Sequence, residues 1–290
     1  MTKEVEGIFK SSAFHMVGDG FRVANYFPNG NKFGRKISPF ILLDYHPPFY
    51  YSPTKNKRGV GVHPHRGFET VTLALDGYVA HHDSGGNSGI IGPGDVQWMT
   101  AASGVLHKEF HEKEWSKKGG EFQMVQLWVN LPAKHKMSAP KYQAIENKTI
   151  PRFLFPNNEG EIEIIAGEYN GIKGSAFTFT PLHLFNAKLN KHSTASFTFP
   201  KNYNTALLVI EGEILVNETE KAVSDQFVLM ANDGEEFKIK ANNDAIVLIL
   251  SGEPINEPIA AHGPFVMNTK QELIQAFEDF NTGKFGHLED

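Results

Sequence analysis

The sequence predicts an all-β protein: two fused barrels of the double-stranded β-helix, or jelly-roll, kind, with a short C-terminal helix. Three observations carry this reading. Short β-branched or aromatic runs alternate with Gly, Pro, Asn and Asp along most of the chain. A pattern of strand, Gly turn and Asp-led strand occurs twice. And 290 residues exceed one average domain.

The runs, in order, are Thr70–Leu75, Tyr78–His82, Val96–Met99, Gln123–Leu131, Ala206–Ile210, Glu213–Asn217, Phe227–Met230 and Ala245–Ser251. Asp76-Gly77 and Glu211-Gly212 read as tight hairpin turns, because Gly accepts the positive φ that strand twist demands. Residues 71–79 (VTLALDGYV) match 206–214 (ALLVIEGEI) in pattern, and 94–101 (GDVQWMTA) match 224–231 (SDQFVLMA). This duplication implies a barrel over residues 1–136 and another over 137–290. Ala133–Pro140, rich in Lys, Pro and small residues, reads as the crossover. Near the end, Thr269 and Glu272 form a capping box. Leu273, Ile274, Phe277 and Phe280 then share one helical stripe, and Gly283 sits where a C-cap belongs. This helix is expected to cover the second barrel.

Composition narrows the chemistry. There is no cysteine, which excludes disulfides, Cys-ligated zinc and thiol catalysis and fits a reducing compartment. The formal charge is −5 with both signs interspersed, so no broad cationic face is expected and nucleic acid is an unlikely direct partner. No run approaches the roughly 20 apolar residues of a membrane helix. Met1 to Met16 carries Lys3, Glu4, Glu6 and Lys10 without an apolar core, so no signal peptide is expected. These readings point to a cytoplasmic protein, expected as a monomer.

The chemistry concentrates in four residues. In His63-Pro64-His65 the imidazoles are two apart, so on an extended chain they face the same side. His107-Lys108-Glu109 repeats that spacing. Two such pairs on neighbouring strands can converge four N and O ligands on one ion, with Glu109 also placed to act as a base. The repeat supplies a control: equal offsets in the second copy land on Thr198, Pro200, Phe237 and Ile239, none of them a good ligand. The second barrel is therefore expected to hold no metal. Three imidazoles and a carboxylate suit iron, manganese, cobalt, nickel, copper or zinc. A closed tetrahedral zinc leaves no room for chemistry, whereas an octahedral ion keeps two open positions. Fe(II) is the expected ion, with no organic cofactor. Glu69, four residues after His65, could replace Glu109, but Gly67 can host a bulge that turns it away. It reads as a carboxylate that orients an imidazole. His111 is a weaker candidate, Arg66 reads as a structural ion pair, and His81 and His82 read as surface residues. Trp98 and Phe122 are candidate apolar walls.

At these residues the chain resembles a known family. Residues 61–72 (GVHPHRGFETVT), 82–101 (HDSGGNSGIIGPGDVQWMTA), 38–44 (SPFILLD), 126–131 (QLWVNL), 252–258 (GEPINEP) and 263–269 (GPFVMNT) look like pirin. The resemblance spans nearly the full length, with few fixed motifs between Lys141 and Leu250. It implies a bicupin with one iron in the N-terminal barrel, held by His63, His65, His107 and Glu109. It also implies a quercetin 2,3-dioxygenase, which opens the flavonol's central ring with O₂ and releases carbon monoxide. The alternative it implies is a redox-sensing iron protein that binds a transcription factor or metabolic enzyme. Where the family carries Arg this chain has His82, and where it carries Leu this chain has Gly85, which bears on pocket shape rather than on metal binding.

Overall fold

The structure is a computed structural model and describes residues 1–28 and 33–289. Its strands form two compact units that are not contiguous in sequence. One comprises Ala13–Pro28, Phe40–Asn147 and the chain from Ile255 on. The other is built mainly from Lys148–Pro254, with the N-terminal Met1–Ser12 and a segment ending at Pro39.

The chain opens with β1 (Val5–Lys10), which pairs antiparallel with Gln226–Met230 of the second unit. Ten strands then build most of the first unit. They are β2 (His15–Val17), β3 (Phe21–Phe27), β4 (Phe40–Tyr51), β5 (Gly59–His65), β6 (Phe68–Asp76), β7 (Val79–Asp83), β8 (Ser88–Ile91), β9 (Val96–Thr100), β10 (Val105–His111) and, after helix α1 (Lys113–Lys118), β11 (Gly120–Asn130). Strand β12 (Lys141–Ile145) completes it. They form a seven-stranded sheet, in the order β12-β9-β6-β11-β4-β3-β2, and a four-stranded sheet, β5-β10-β7-β8. The second unit repeats both orders strand for strand. Thr194–Thr198, Glu236–Ala241, Glu213–Val216 and Glu220–Val223 form its four-stranded sheet. Asn204–Glu211 and Gln226–Met230 take the places of β6 and β9 in its seven-stranded sheet. The duplication expected from the sequence is thus present in full.

Three expectations are corrected. Asp76-Gly77 and Glu211-Gly212 do not close hairpins: the strands they join lie in different sheets. Each is a corner that carries the chain from the large sheet to the small one. Positive φ is still required there, at 78° for Gly77 and 84° for Gly212. The crossover also lies later than Ala133–Pro140. After a short 3₁₀ turn the chain returns as β12 and pairs along β9 from Lys141↔Thr100 to Ile145↔Val96, so the first unit continues to Asn147. Finally, helix α2 (Lys270–Asn281) belongs to the first unit, not to the second as the 137–290 boundary supposed.

The capping box of α2 forms as expected, with Thr269 Oγ1 accepting from the Glu272 amide and the Glu272 carboxylate accepting from the Thr269 amide. Its buried stripe is narrower than expected. Leu273 and Phe277 pack against Phe265, Ala276 and Phe285, whereas Ile274 is exposed. Arg66 forms the ion pair expected of it, at 2.8 Å from Asp279 of this helix and buried with it.

Candidate metal centre

Strand register builds the site. In the β5·β10 pair His107 lies opposite His63, and Val105 opposite His65. In the β10·β7 pair His107 lies opposite Asp83, and Glu109 opposite His81. Directly opposed residues share a face, so one side of the small sheet carries His63, His65, His81, Asp83, His107 and Glu109. A register shift between His107 and Glu109 sets Glu109 opposite Val60.

The four expected ligands fall into two overlapping groups rather than one, and the group that holds Glu109 includes His81, which was not among them. His63, His65 and His107 place ligand atoms within 4.8 Å of one another, and so do His81, His107 and Glu109. The ring centres of His63 and His107 are 4.2 Å apart, and those of His65 and His107 4.8 Å. His107 is the shared member.

The protonation states suit a cation. Burial, then the neighbouring imidazoles, hold His107 and His65 well below the usual histidine pKa, so both are neutral and keep a lone pair. His63 Nδ1 donates to the Gly61 carbonyl at 2.8 Å, which leaves Nε2 as its free acceptor. His107 is fully buried, and neither ring nitrogen has a hydrogen-bond partner among the described residues. A buried imidazole with two idle nitrogens is costly unless something else binds one of them. The donor set therefore fits a divalent transition metal.

Glu109 spans the barrel. Its Oε1 accepts from Gln97 Nε2 at 2.8 Å and from Thr72 Oγ1 at 3.4 Å, and its Oε2 from Gln126 Nε2 at 3.2 Å. Thr72, Gln97 and Gln126 are direct cross-strand neighbours on β6, β9 and β11. The large sheet thus reaches over to hold this carboxylate in one orientation.

Several expectations change at the site. His81, read as a surface residue, is fully buried. Its Nε2 lies 3.2 Å from Asp83 Oδ2, its Nδ1 has no hydrogen-bond partner among the described residues, and its ring stacks on Tyr142 at 4.9 Å. Asp83 is itself held by the Asn87 amide and side chain. Burial would raise the Asp83 pKa, but the bonds from His81 and Asn87 together bring it below the usual range. His82 points the other way and is exposed. Glu69 does not orient an imidazole. It lies on the opposite face of β6 from Thr70 and Thr72, paired across to Thr100, whose hydroxyl donates to it at 2.6 Å. Gly67, at φ 90°, supplies the backbone turn just before it.

Trp98 and Phe122 do not wall the cluster. Trp98 pairs with Val71 on that same opposite face, and Phe122 sits in a separate core with Phe21, Val79 and Ile91. The aromatics beside His65 are Phe68 at 5.1 Å and Trp128 at 5.3 Å, which stack on each other at 4.2 Å. Trp128 is partly exposed, as are Gln126 and His63. His111 is enclosed by Phe21, Tyr51, Trp115 and Phe122, and burial brings its pKa down to about 4.

In the second unit Phe197 and Phe237 occupy the cross-strand pair equivalent to His63 and His107, with rings stacked at 5.2 Å. Phe199 and Ile239 complete an apolar cluster there. Thr198 and Pro200, reached by counting offsets, point outward, so the count was one residue out, but the inward neighbours are just as unable to bind metal.

Comparison with known proteins gives a consistent picture. Residues 20–129 match the Pirin family, and residues 184–286 match the Pirin C-terminal cupin domain. A Pseudomonas aeruginosa protein provisionally named quercetin 2,3-dioxygenase is 47% identical over 283 residues, 98% of each chain. Human pirin is 35% identical over 261 residues, 87% of this chain and 84% of its own. The crystal structure of a quercetin 2,3-dioxygenase from Acinetobacter baumannii superposes with a TM-score of 0.95, covering 100% of both chains at 47% identity.

Proposed function

The chain belongs to the pirin family, and from that premise we propose that it is a metal-dependent, ring-cleaving dioxygenase of flavonols such as quercetin. The observation that carries the reading is the cluster of His63, His65 and His107, the last two buried and neutral, beside an oriented Glu109. Similarity over full length to proteins named as quercetin 2,3-dioxygenases supplies the substrate class. His63, His65, His107 and Glu109 would hold one ion, Fe(II) in this reading. Bound there, the ion supplies Lewis acidity toward the substrate's oxygens and redox access to O₂.

The chain's own residues do the rest. Glu109 accepts the proton of the flavonol 3-hydroxyl, which makes the substrate electron-rich. Gln97, Gln126 and Thr72 hold its carboxylate so that this transfer needs no side-chain rearrangement. Trp128, partly exposed beside His65, offers a ring face for a flat substrate. Both atoms of O₂ enter the opened ring, and one carbon leaves as carbon monoxide.

The test is O₂ uptake and carbon monoxide release with quercetin, on protein loaded in turn with iron, manganese, cobalt, nickel and copper. Both signals with at least one ion support the proposal. Absence of both with all five overturns it and favours the alternative, a binding protein that reports the oxidation state of its iron.

A further inference from the structure

A second concavity lies on the outer face of the strands that carry the cluster. It measures about 490 Å³ and is lined by Lys55, Lys57, Ala80, His82, Lys108 and Phe110, among others. Alternation along the strands explains the placement. Lys108 and Phe110 interleave with His107 and Glu109 on β10, where His111 at the strand's end also lines the cavity, while Ala80 and His82 interleave with His81 and Asp83 on β7. The cavity is therefore one sheet thickness from the metal cluster and shares none of its four expected ligands.

Its charge is one-sided. Lys55, Lys57, Lys108 and Lys113 line it, and no carboxylate does, in a chain whose formal charge is −5. Among the described residues none of the four lysines forms an ion pair. Lys108 donates to the main-chain carbonyl of Glu289, a neutral acceptor. His82 reports the same field: burial first, then Lys108 among its neighbours, lowers its pKa. Four like charges around one hollow repel one another, so something must offset the repulsion or the arrangement is costly. The floor is apolar, formed by Phe110 and Ala80, with Lys57 5.3 Å above the Phe110 ring.

The cavity is also pre-formed. The loop that carries Lys55 and Lys57 is tied down by Thr54 N–H to the Ser116 carbonyl at 2.8 Å, and by the Asn56 amide to Thr54 Oγ1 at 3.1 Å. At its far end the His111 amide donates to the Arg58 carbonyl at 2.8 Å. Binding there would not first have to order the loop.

We propose that this cavity binds a small organic anion carrying two or more negative groups on a flat, apolar body. The lysines meet the charges and Phe110 meets the body. The site is independent of the metal cluster and of the activity proposed for it.

Calorimetric titration with a benzene disulfonate tests this, because that probe is flat, doubly charged at all working pH values and a poor chelator. Saturable binding is expected at low salt. Raising salt from about 0.01 M to about 0.15 M, which cuts the screening length from about 30 Å to about 8 Å, should weaken it several-fold. The double variant Lys57→Gln, Lys108→Gln should bind about tenfold or more weakly. Lys134→Gln with Lys240→Gln removes the same charge elsewhere and should leave affinity unchanged. So should His107→Ala, which separates this site from any anion held by a metal. No saturable binding, or equal loss in both lysine double variants, overturns the proposal.

Discussion

His107 belongs to both groups of ligand-capable side chains, so among the described residues no three-ligand set survives without it. His107→Ala is expected to abolish stoichiometric metal, as elemental analysis of the purified protein would read. A variant that retained a full equivalent would place the ion elsewhere. Glu69 makes a separate prediction. Burial raises its pKa from 4.5 to about 7, so the folded protein keeps a proton that the unfolded chain has released across that interval. Its stability contribution is therefore whole below the unfolded value and lost as pH rises through about 7. The loss amounts to about 3 kcal/mol, since each tenfold difference in proton affinity between the folded and unfolded chain corresponds to about 1.4 kcal/mol. Glu69→Gln cannot ionise and should gain on the parent by that amount between pH 5 and pH 8 in urea denaturation. Parallel pH profiles for the two proteins would refute the assignment. Four ligand candidates were legible because spacing by two on a strand is a strong local signal. His81 was not, because its burial depends on which face of β7 turns inward, and adjacent histidines leave that open until the register with β10 is known.

At the scale of elements, the sequence announced where strands exist more clearly than what they pair with. Asp76-Gly77 carries the signal of a hairpin turn, yet a corner between sheets needs the same positive φ, and only the distant partners of β6 and β7 separate the two cases. Gly77 is further constrained because a Cβ there would stand 2.5 Å from the Phe122 ring. Strand β12 was missed for a related reason: five residues pairing with β9 after β10, α1 and β11 have intervened carry little local pattern. Helix α2 was predicted from its cap, but its position is set by a partner far away in sequence. Arg66 reaches Asp279 at 2.8 Å and donates to the Ser103 carbonyl at 2.6 Å, both inside the first unit. Asp279→Ala would leave that guanidinium buried without a carboxylate, held by the carbonyl and the Phe285 ring 4.6 Å away, a loss of about 3 kcal/mol. The midpoint of urea unfolding should drop accordingly, with faster hydrogen exchange in residues 270–281. Exchange unchanged in α2 would show that its apolar contacts alone hold it.

Across the whole molecule, two units with the same strand order differ in what fills one cross-strand layer. The first places His63 opposite His107, and the second places Phe197 opposite Phe237. The architecture therefore does not need the metal cluster, since an apolar pair satisfies the same positions and joins a continuous core in the second unit. In the first unit the imidazoles are a cost to folding that a bound ion would offset: two ring nitrogens of His107 are buried without a partner among the described residues, and its pKa is driven down by the surroundings. The double variant His63→Phe, His107→Phe copies the second unit's solution into the first. It should bind no metal and still fold, because the receiving layer is built from the same paired strands. With a chelator present, its thermal midpoint should equal or exceed that of the parent, as two polar rings are replaced by apolar ones of similar shape. With metal added, the parent alone should gain, since only it has a ligand set to couple binding to folding. A variant that unfolds in chelator well below the metal-free parent would mean that the imidazoles pack for their own sake, and that the histidine layer is structural rather than a site for a cation.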